Sequence, residues 1–257
     1  MSNLYLSRVM LRREPSIDAL VRQLLPDDRG DRAHAAHRLV WSLFAGDPNR
    51  NRDFLFREME PGKGISGGRT SFLVLSYCAP NADHPLLDVE SKPFTPALSK
   101  GDRLGFSLRA NPVQQSGTKK KDGVRIEGSK TIRHDVVMDM LHSIAPGRDR
   151  VEKRPFLIQQ AGYDWLSRQA ERSGFRLLAE PPSADQDDEP DDDGALLRID
   201  GYEQLRFAKL GRNGRISVLD YDGVLEVTDP HLLLTRIASG FGRARAFGCG
   251  LMLIRRM

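Results

Sequence analysis

The sequence predicts an α+β fold in two units. Three observations carry that prediction: a length of 257 residues, short strand-like apolar runs interleaved with helical patterns, and a β-α-β-β-α-β order in the second half. The chain is longer than one compact domain of typical size and suits two small ones.

Leu4 to Leu11 reads as the first strand, with Leu4, Leu6 and Val9 apolar against Ser7 and Arg8. Arg32 to Ala45 reads as a helix, with Asp31 as N-cap, Gly46-Asp47-Pro48 as stop, and Ala33, Ala36, Val40, Leu43 and Phe44 as its apolar stripe. Strands follow at Asp53 to Arg57, at Thr70 to Cys78, and at Arg103 to Ala110, where alternation breaks at Asn111-Pro112. These elements make a first unit over residues 1–112. Residues 113–151 read as a basic linker holding one short helix, Asp135 to Ser143. The second unit, 152–257, begins with a strand at Pro155 to Gln159 and a helix from Gly162 to Arg172. Further strands are expected at Gly174 to Leu178, Glu203 to Leu210, Arg215 to Val227 and Gly250 to Ile254, with a helix from Pro230 to Gly240. That order is the split ferredoxin-like layout, whose open sheet RNA-recognition modules also use.

Composition narrows the function classes. Apolar residues make up 39% of the chain, and no apolar run approaches the ~20 residues that cross a bilayer. The opening Met-Ser-Asn-Leu-Tyr lacks a signal pattern, so a cytoplasmic protein without a membrane partner is expected. Cys78 and Cys249 are isolated, which supports neither a disulfide framework nor a zinc knuckle. Net charge is +4, but eight acids and no base lie between Glu180 and Gly194. The rest of the chain sets 39 Lys and Arg against 27 acids, an excess of +12 that suits a nucleic-acid partner. The proline-rich acidic stretch itself reads as a disordered surface loop.

Three separated patches carry a likeness to a known family. They are L-Y-L-S-R-V-M-L with H-A-A-H-R-L-V-W-S-L-F and R-D-F-L-F-R; then L-R-A-N-P (Leu108 to Pro112) with R-P-F-L-I; then G-F-G-R-A-R-A-F-G-C-G-L (Gly240 to Leu251), preceded by Y-D-G-V-L-E-V-T-D-P. In this order and spacing the chain resembles the CasE family, the crRNA-processing subunit of type I-E CRISPR effector complexes. The resemblance implies two tandem ferredoxin-like domains and cleavage of precursor CRISPR RNA at the base of the repeat hairpin. It also implies retention of the product within the Cascade complex, with its other subunits as partners. No cofactor and no metal are expected.

Cutting RNA with its own 2′-hydroxyl needs a base for that proton and an acid for the 5′-oxygen, and imidazole serves either role near neutral pH. His37 falls at the margin of the helix stripe, half-exposed above the sheet, with His34, Arg38 and Trp41 on the adjoining face. By itself such a histidine reads as surface or structural, and an i, i+3 pair as a zinc site without its further ligands. By resemblance the family's catalytic histidine falls on His37, at the H of H-R-L-V-W, while His34 stands where the family often has tyrosine. Catalysis is then the favoured reading, with His34 either the second catalytic group or an RNA-orienting one. His84, His134, His142 and His231 default to surface or structural roles.

The C-terminal loop has a helix before it and a strand after it, the wrong order for a dinucleotide-binding motif. Gly240, Gly242, Gly248 and Gly250 with Arg243 and Arg245 read either as a phosphate-contacting loop or as turn glycines with exposed arginines. Lys209, Arg212 and Arg215 surround an Asn213-Gly214 pair that matches a two-residue hairpin turn. The resemblance places an RNA-contacting hairpin there; solvated turn charges are the alternative. Arg38, Arg109, Lys119, Lys120 and Lys121 join the RNA-binding candidates on charge. The rival function from another class is a non-catalytic RNA-binding or assembly subunit. Excising Ser183 to Asp193 should leave the melting temperature and RNA cutting unchanged, since so charged a segment buries little; a large fall in either would make the segment part of the fold.

Overall fold

Alternation makes the first strand: β1 (Tyr5–Leu11) turns Val9 and Leu11 to one face, while Leu4 and Leu6 face the other way. The computed structural model describes residues 3–46, 51–59, 69–116, 120–121, 124–125, 132–182, 196–209 and 212–257. After β1 come α1 (Pro15–Leu24), unforeseen in the sequence, then α2 (Arg29–Trp41), β2 (Phe54–Met59), β3 (Ser71–Ser76) and β4 (Leu87–Pro93). These strands form one antiparallel sheet in the order β2-β3-β1-β4. Read from the other edge, this is the ferredoxin-like order 4-1-3-2, with residues 77–86 in place of the second helix.

One face of that sheet holds Phe54, Phe56, Phe72 and Val74 against Ala35, Ala36, Leu39 and Val40 of α2. The other face is covered as well: Leu55 and Leu75 belong to the core of the second unit. A sheet buried on both sides reads as a continuous apolar run, which is why F-L-V-L stands out in the sequence.

The second unit starts earlier than the sequence suggested. β5 (Arg103–Ala110), placed by its position in the first unit, lies between β12 and β13 of the second sheet. The stretch read as a linker contains β6 (Val113–Ser116), β7 (Lys120–Lys121), β8 (Val124–Arg125), β9 (Ile132–Asp135) and the expected α3 (Val136–His142), capped by Asp135. The strand expected at Pro155 to Gln159 is part of α4 (Arg148–Ala170). A short apolar run carries no period of its own, and Leu157, Ala161, Trp165 and Leu166 show the helical one. Pro155 is tolerated on the exposed flank, where it removes one ladder hydrogen bond.

β10 (Phe175–Leu177), β11 (Leu197–Lys209), β12 (Arg212–Val227), α5 (Pro230–Ser239) and β13 (Met252–Arg256) complete the unit. Its order, β10-β12-β5-β13, is again 4-1-3-2 read from the far edge, so two tandem ferredoxin-like units share the chain. The division between them falls between Pro93 and Arg103. α5 has proline in its first turn and ends at Gly240, as expected. Residues 183–195, which hold most of the acidic stretch, and Lys119 lie outside the described residues. Among the described residues no helix is long and apolar enough to cross a membrane.

Candidate active site

α2 carries both histidines that the sequence singles out. It starts before the expected cap: the Asp28 carboxylate, not Asp31, accepts the Gly30 and Asp31 N–H groups at 3.0 Å each. Asp31 instead supplies a favourable negative charge in the first turn. Gly30 meets the Arg206 carbonyl of β11 so closely that a Cβ would overlap it. Arg29 adds a 2.7 Å ion pair to Glu203 of β11, and Arg32 reaches Glu58 of β2 at 2.7 Å. The helix is thereby held against both units. Gly30→Ala should push α2 away from β11 and cost about 1–3 kcal/mol, the usual range for overpacking. Thermal melting checks this, and an unchanged transition would show that the contact yields freely.

His37 sits half-buried at the stripe margin. Its ring lies 5.9 Å from Phe54, 6.1 Å from Phe56 and 5.7 Å from Trp41, centroid to centroid. Nε2 is enclosed without a hydrogen-bond partner among the described residues. A buried polar atom left so is costly, and such atoms in native proteins often serve a ligand or a reaction. Loss of hydration, then the charges of Arg52 and His34, push the His37 pKa down to about 4. The imidazole is therefore neutral at pH 7 and able to take a proton. His34, one turn earlier, places its ring 6.4 Å from Phe247.

Phe247 belongs to the glycine loop, which the fold brings to this face of α2. Gly240, Gly242, Gly248 and Gly250 all adopt positive φ. The backbone N–H groups of Gly240, Gly248 and Gly250 donate to Arg236, Arg245 and Arg109 carbonyls, and these three glycines are buried. The glycines thus shape the loop, while Arg243 is exposed and Arg245 half-buried at its surface. Ala244 takes φ 54° where only glycine is comfortable, a strained step beside a short 3-10 turn, Arg245–Phe247.

The basic hairpin is present, with its reversal moved. Lys209 pairs with Arg212, Asn213 with Ala208 and Gly214 with Phe207, so Asn213-Gly214 lies within the paired strand and not at its reversal; residues 210–211 lie outside the described residues. Gly214 pairs with Phe207, whose ring occupies the space a Cβ would need. Close approach, not turn geometry, accounts for that glycine. β5 pairs with β12 only from Leu219 onward, so the β11–β12 pair continues past the end of β5, with Leu205 and Val218 buried against Cys249 and Arg215 exposed. Phe207 packs on Phe247 at 4.5 Å, which sets the hairpin against the glycine loop and, through His34, against α2. Arg215 is exposed; the side chains of Lys209 and Arg212, like those of Lys120 and Lys121, lie outside the described set.

Arg109, chosen on charge, is committed internally. It holds Asp220 at 2.7 Å and approaches Glu203 at 3.5 Å, while Arg57 lies 3.7 Å from Asp220 and donates to Ser107 at 2.8 Å. Burial still raises the Asp220 carboxyl, against the pull of Arg109 and Arg57. With Arg29 on Glu203, this chain of ions runs from α2 through the second sheet to β2. Arg38 is exposed on α2. His84 is structural: Nδ1 accepts the Leu86 N–H and Nε2 shares a 2.9 Å bond with Ser42. Among the described residues, no three His, Cys, Asp or Glu side chains converge as a metal site.

The model of the CRISPR associated protein family matches residues 4–256. The chain belongs to that family. The CRISPR-associated endoribonuclease Cse3 of Thermus thermophilus is 25% identical over 231 residues, 85% of this chain and 87% of that protein. The CRISPR system Cascade subunit CasE of Escherichia coli K12 is 24% identical over 254 residues, 97% of this chain and 98% of that one. A structure of Cse3 bound to 19 nt RNA matches with a TM-score of 0.61 at 21% identity, covering 99% of both chains. Cas6e of Escherichia coli matches with a TM-score of 0.56, also at 21%, covering 98% of this chain and 100% of the other. These likenesses bear out the tandem ferredoxin-like fold. Within this CRISPR-associated chain, sequence reasoning missed Arg52 and the aromatic packing of Phe54, Phe56 and Phe207. The signal available was F-L-F at residues 54–56, in which Phe54 and Phe56 share one face of the strand.

Proposed function

We propose that this protein is a metal-independent endoribonuclease that cuts CRISPR repeat RNA at the base of its hairpin and stays bound to the product as a Cascade subunit. The observation that carries the reading is His37: a neutral, half-buried imidazole with an orphaned nitrogen, on a helix packed beside an arginine-bearing loop and the β11–β12 hairpin. The printed names of the relatives, an endoribonuclease and a Cascade subunit, support it. Such a complex works on RNA in the cytoplasm.

In the proposed reaction His37 takes the proton of the 2′-hydroxyl as O2′ attacks phosphorus. The P–O5′ bond breaks, and the 5′-oxygen receives a proton from His34 or from water. The ends are a 2′,3′-cyclic phosphate and a 5′-hydroxyl. No cofactor takes part. Arg243 and Arg245 hold the RNA backbone, the four loop glycines give that loop its shape, and Arg38 adds charge along α2. Lys209, Arg212 and Arg215 grip phosphates across the deep, narrow groove of an A-form stem. Arg109 stays internal.

Incubation of the purified protein with a CRISPR repeat hairpin RNA in excess chelator tests the reading. Cutting at one phosphate with a cyclic phosphate end is the expected result. Binding without cutting would favour a non-catalytic assembly subunit, and rescue by added metal would favour a metal-dependent nuclease.

A further inference from the structure

The β11–β12 hairpin, the glycine loop and α2 meet in one row of contacts. Three residues of β11 carry it. Glu203 accepts Arg29 at 2.7 Å, the Arg206 carbonyl lies against Gly30, and the Phe207 ring packs on Phe247 with centroids 4.5 Å apart. Phe247 in turn lies 6.4 Å from the His34 ring, within the range of aromatic contact. Both ends of this relay are fixed. On the hairpin side, Gly214 pairs with Phe207, and a Cβ there would overlap the Phe207 ring, so the glycine that resembles a turn signal makes room for that ring. On the loop side, Phe247 ends a 3-10 turn flanked by Ala244 at φ 54° and Gly248 at φ 75°, and its N–H donates to the Ala244 carbonyl at 2.8 Å. A non-glycine residue at positive φ persists only where its surroundings hold it.

We propose that Phe247, held by Phe207, is a positioning residue that sets the direction of the His34 ring, so that the hairpin gripping the stem also aligns the helix that cuts. The inference rests on the function proposed above. His34 is half-buried, and among the described residues no hydrogen bond orients its ring. A helical side chain has two common χ1 wells, and a neighbouring ring on one side selects between them. An imidazole that hands a proton to one leaving oxygen must point at it, and a displacement of about 1 Å costs on the order of 10²-fold in rate. Glu203 with Arg29, and Arg206 with Gly30, keep α2 in register with β11 along the same row. Phe247 acts through His34, without itself touching the reacting atoms.

The test uses the full protein, a CRISPR repeat hairpin RNA, and the same hairpin with a 2′-deoxy nucleotide at the cut site. Phe247→Leu, which keeps an apolar side chain in the loop, should lower the saturated single-turnover rate about 10²-fold. Affinity for the 2′-deoxy hairpin should change only a few-fold, and Phe247→Tyr, which keeps the ring, should retain most of the rate. In a His34→Ala background, Phe247→Leu should cost nothing further, because the two act as one unit. A merely structural phenylalanine would lower the melting temperature and leave that non-additivity absent. Wild-type rate in Phe247→Leu, a loss confined to affinity, an equal further loss in the His34→Ala background, or a wild-type rate in His34→Ala each overturns the assignment while the proposed function stands. NMR of the free protein supplies a readout that needs no cutting. A nuclear Overhauser contact between the His34 and Phe247 rings is expected in the wild type and should be lost in Phe207→Leu. Its absence in the wild type, or its persistence in Phe207→Leu, overturns the relay even if the protein cuts no RNA, an outcome by which the proposed function fails separately.

Discussion

Replacing His37 by alanine is expected to lower the single-turnover cleavage rate about 10²–10⁴-fold, the usual contribution of a general acid or base, while hairpin affinity stays nearly unchanged. The reason for the split is physical separation. Affinity for RNA comes mostly from phosphate contacts, and the proposed ones lie on the hairpin and the glycine loop, not on the His37 ring. The pH dependence sharpens the expectation. A base works when neutral, so its rate is lost as pH falls through its pKa. With the free-protein value pushed down to about 4, kcat/KM should persist at pH 5, where an unperturbed imidazole of about 6.5 would be mostly protonated. Once RNA is bound, a phosphate beside the ring offsets Arg52, so the acid limb of kcat should lie above that of kcat/KM. Folding stability follows the same sign. The native state resists protonation of His37, so its contribution is present above pH 6.5 and lost as pH falls toward 4. The alanine variant should lose less stability over that window. A His37→Ala protein that cuts at near-normal rate ends the assignment, and equal loss in His34→Ala would make His34 the second catalytic group.

Alanine at Lys209, Arg212 and Arg215 together should weaken hairpin binding strongly and flatten its salt dependence, by about one unit of slope for each phosphate contact removed. The β11–β12 pair continues past the end of β5 with its apolar side chains Leu205 and Val218 buried and Arg215 exposed, so the loss of these charges should leave the core in place. The saturated cleavage rate should change little. A stem offers paired phosphates across a groove and a single strand does not, so the triple variant should lose more affinity for a hairpin than for an unstructured RNA of equal length. Titrations of both RNAs across a salt series decide it. Equal weakening of the two, or none, would reduce the hairpin to a solvated turn and place the stem elsewhere.

What could be read from residues alone followed local chemistry. β1, β3, β12 and α5 lie close to where alternation, apolar runs and a first-turn proline put them. α3 and its Asp135 cap were legible for the same reason. Errors arose where distant partners decide. Asp31 and Asp28 both look like caps, and the cap is set by where Gly30 meets β11. The 154–158 run has no period until Leu157 is seen in line with Ala161 and Trp165. Asn213-Gly214 is a strong turn signal, yet the pairing of Phe207 with Gly214 overrides it. His37 was legible as a candidate through its helix margin; its lowered proton affinity was not, because burial under Phe54 and Phe56 and the charge of Arg52 come from a later segment of the chain. Arg109 shows the converse, a positive charge whose partners, Asp220 and Glu203, are scattered along the chain.

β5 sits in the middle of the second sheet, between β12 and β13, so Phe106 pairs with Ile254. A ribosome making roughly 5–20 residues per second therefore exposes a strand that lacks both neighbours until β12 emerges and keeps one edge open until β13 does. The first unit can fold on the nascent chain in that interval, but the second has high contact order and must close late. The glycine loop closes with it, since the Gly250 N–H donates to the Arg109 carbonyl at the end of β5. Arg245 can therefore reach its place beside the histidine helix only after release of β13. The proposed cleft is then complete only once β13 is in place, and a chain cut short before β13 would carry His37 on a folded helix without the glycine loop closed beside it.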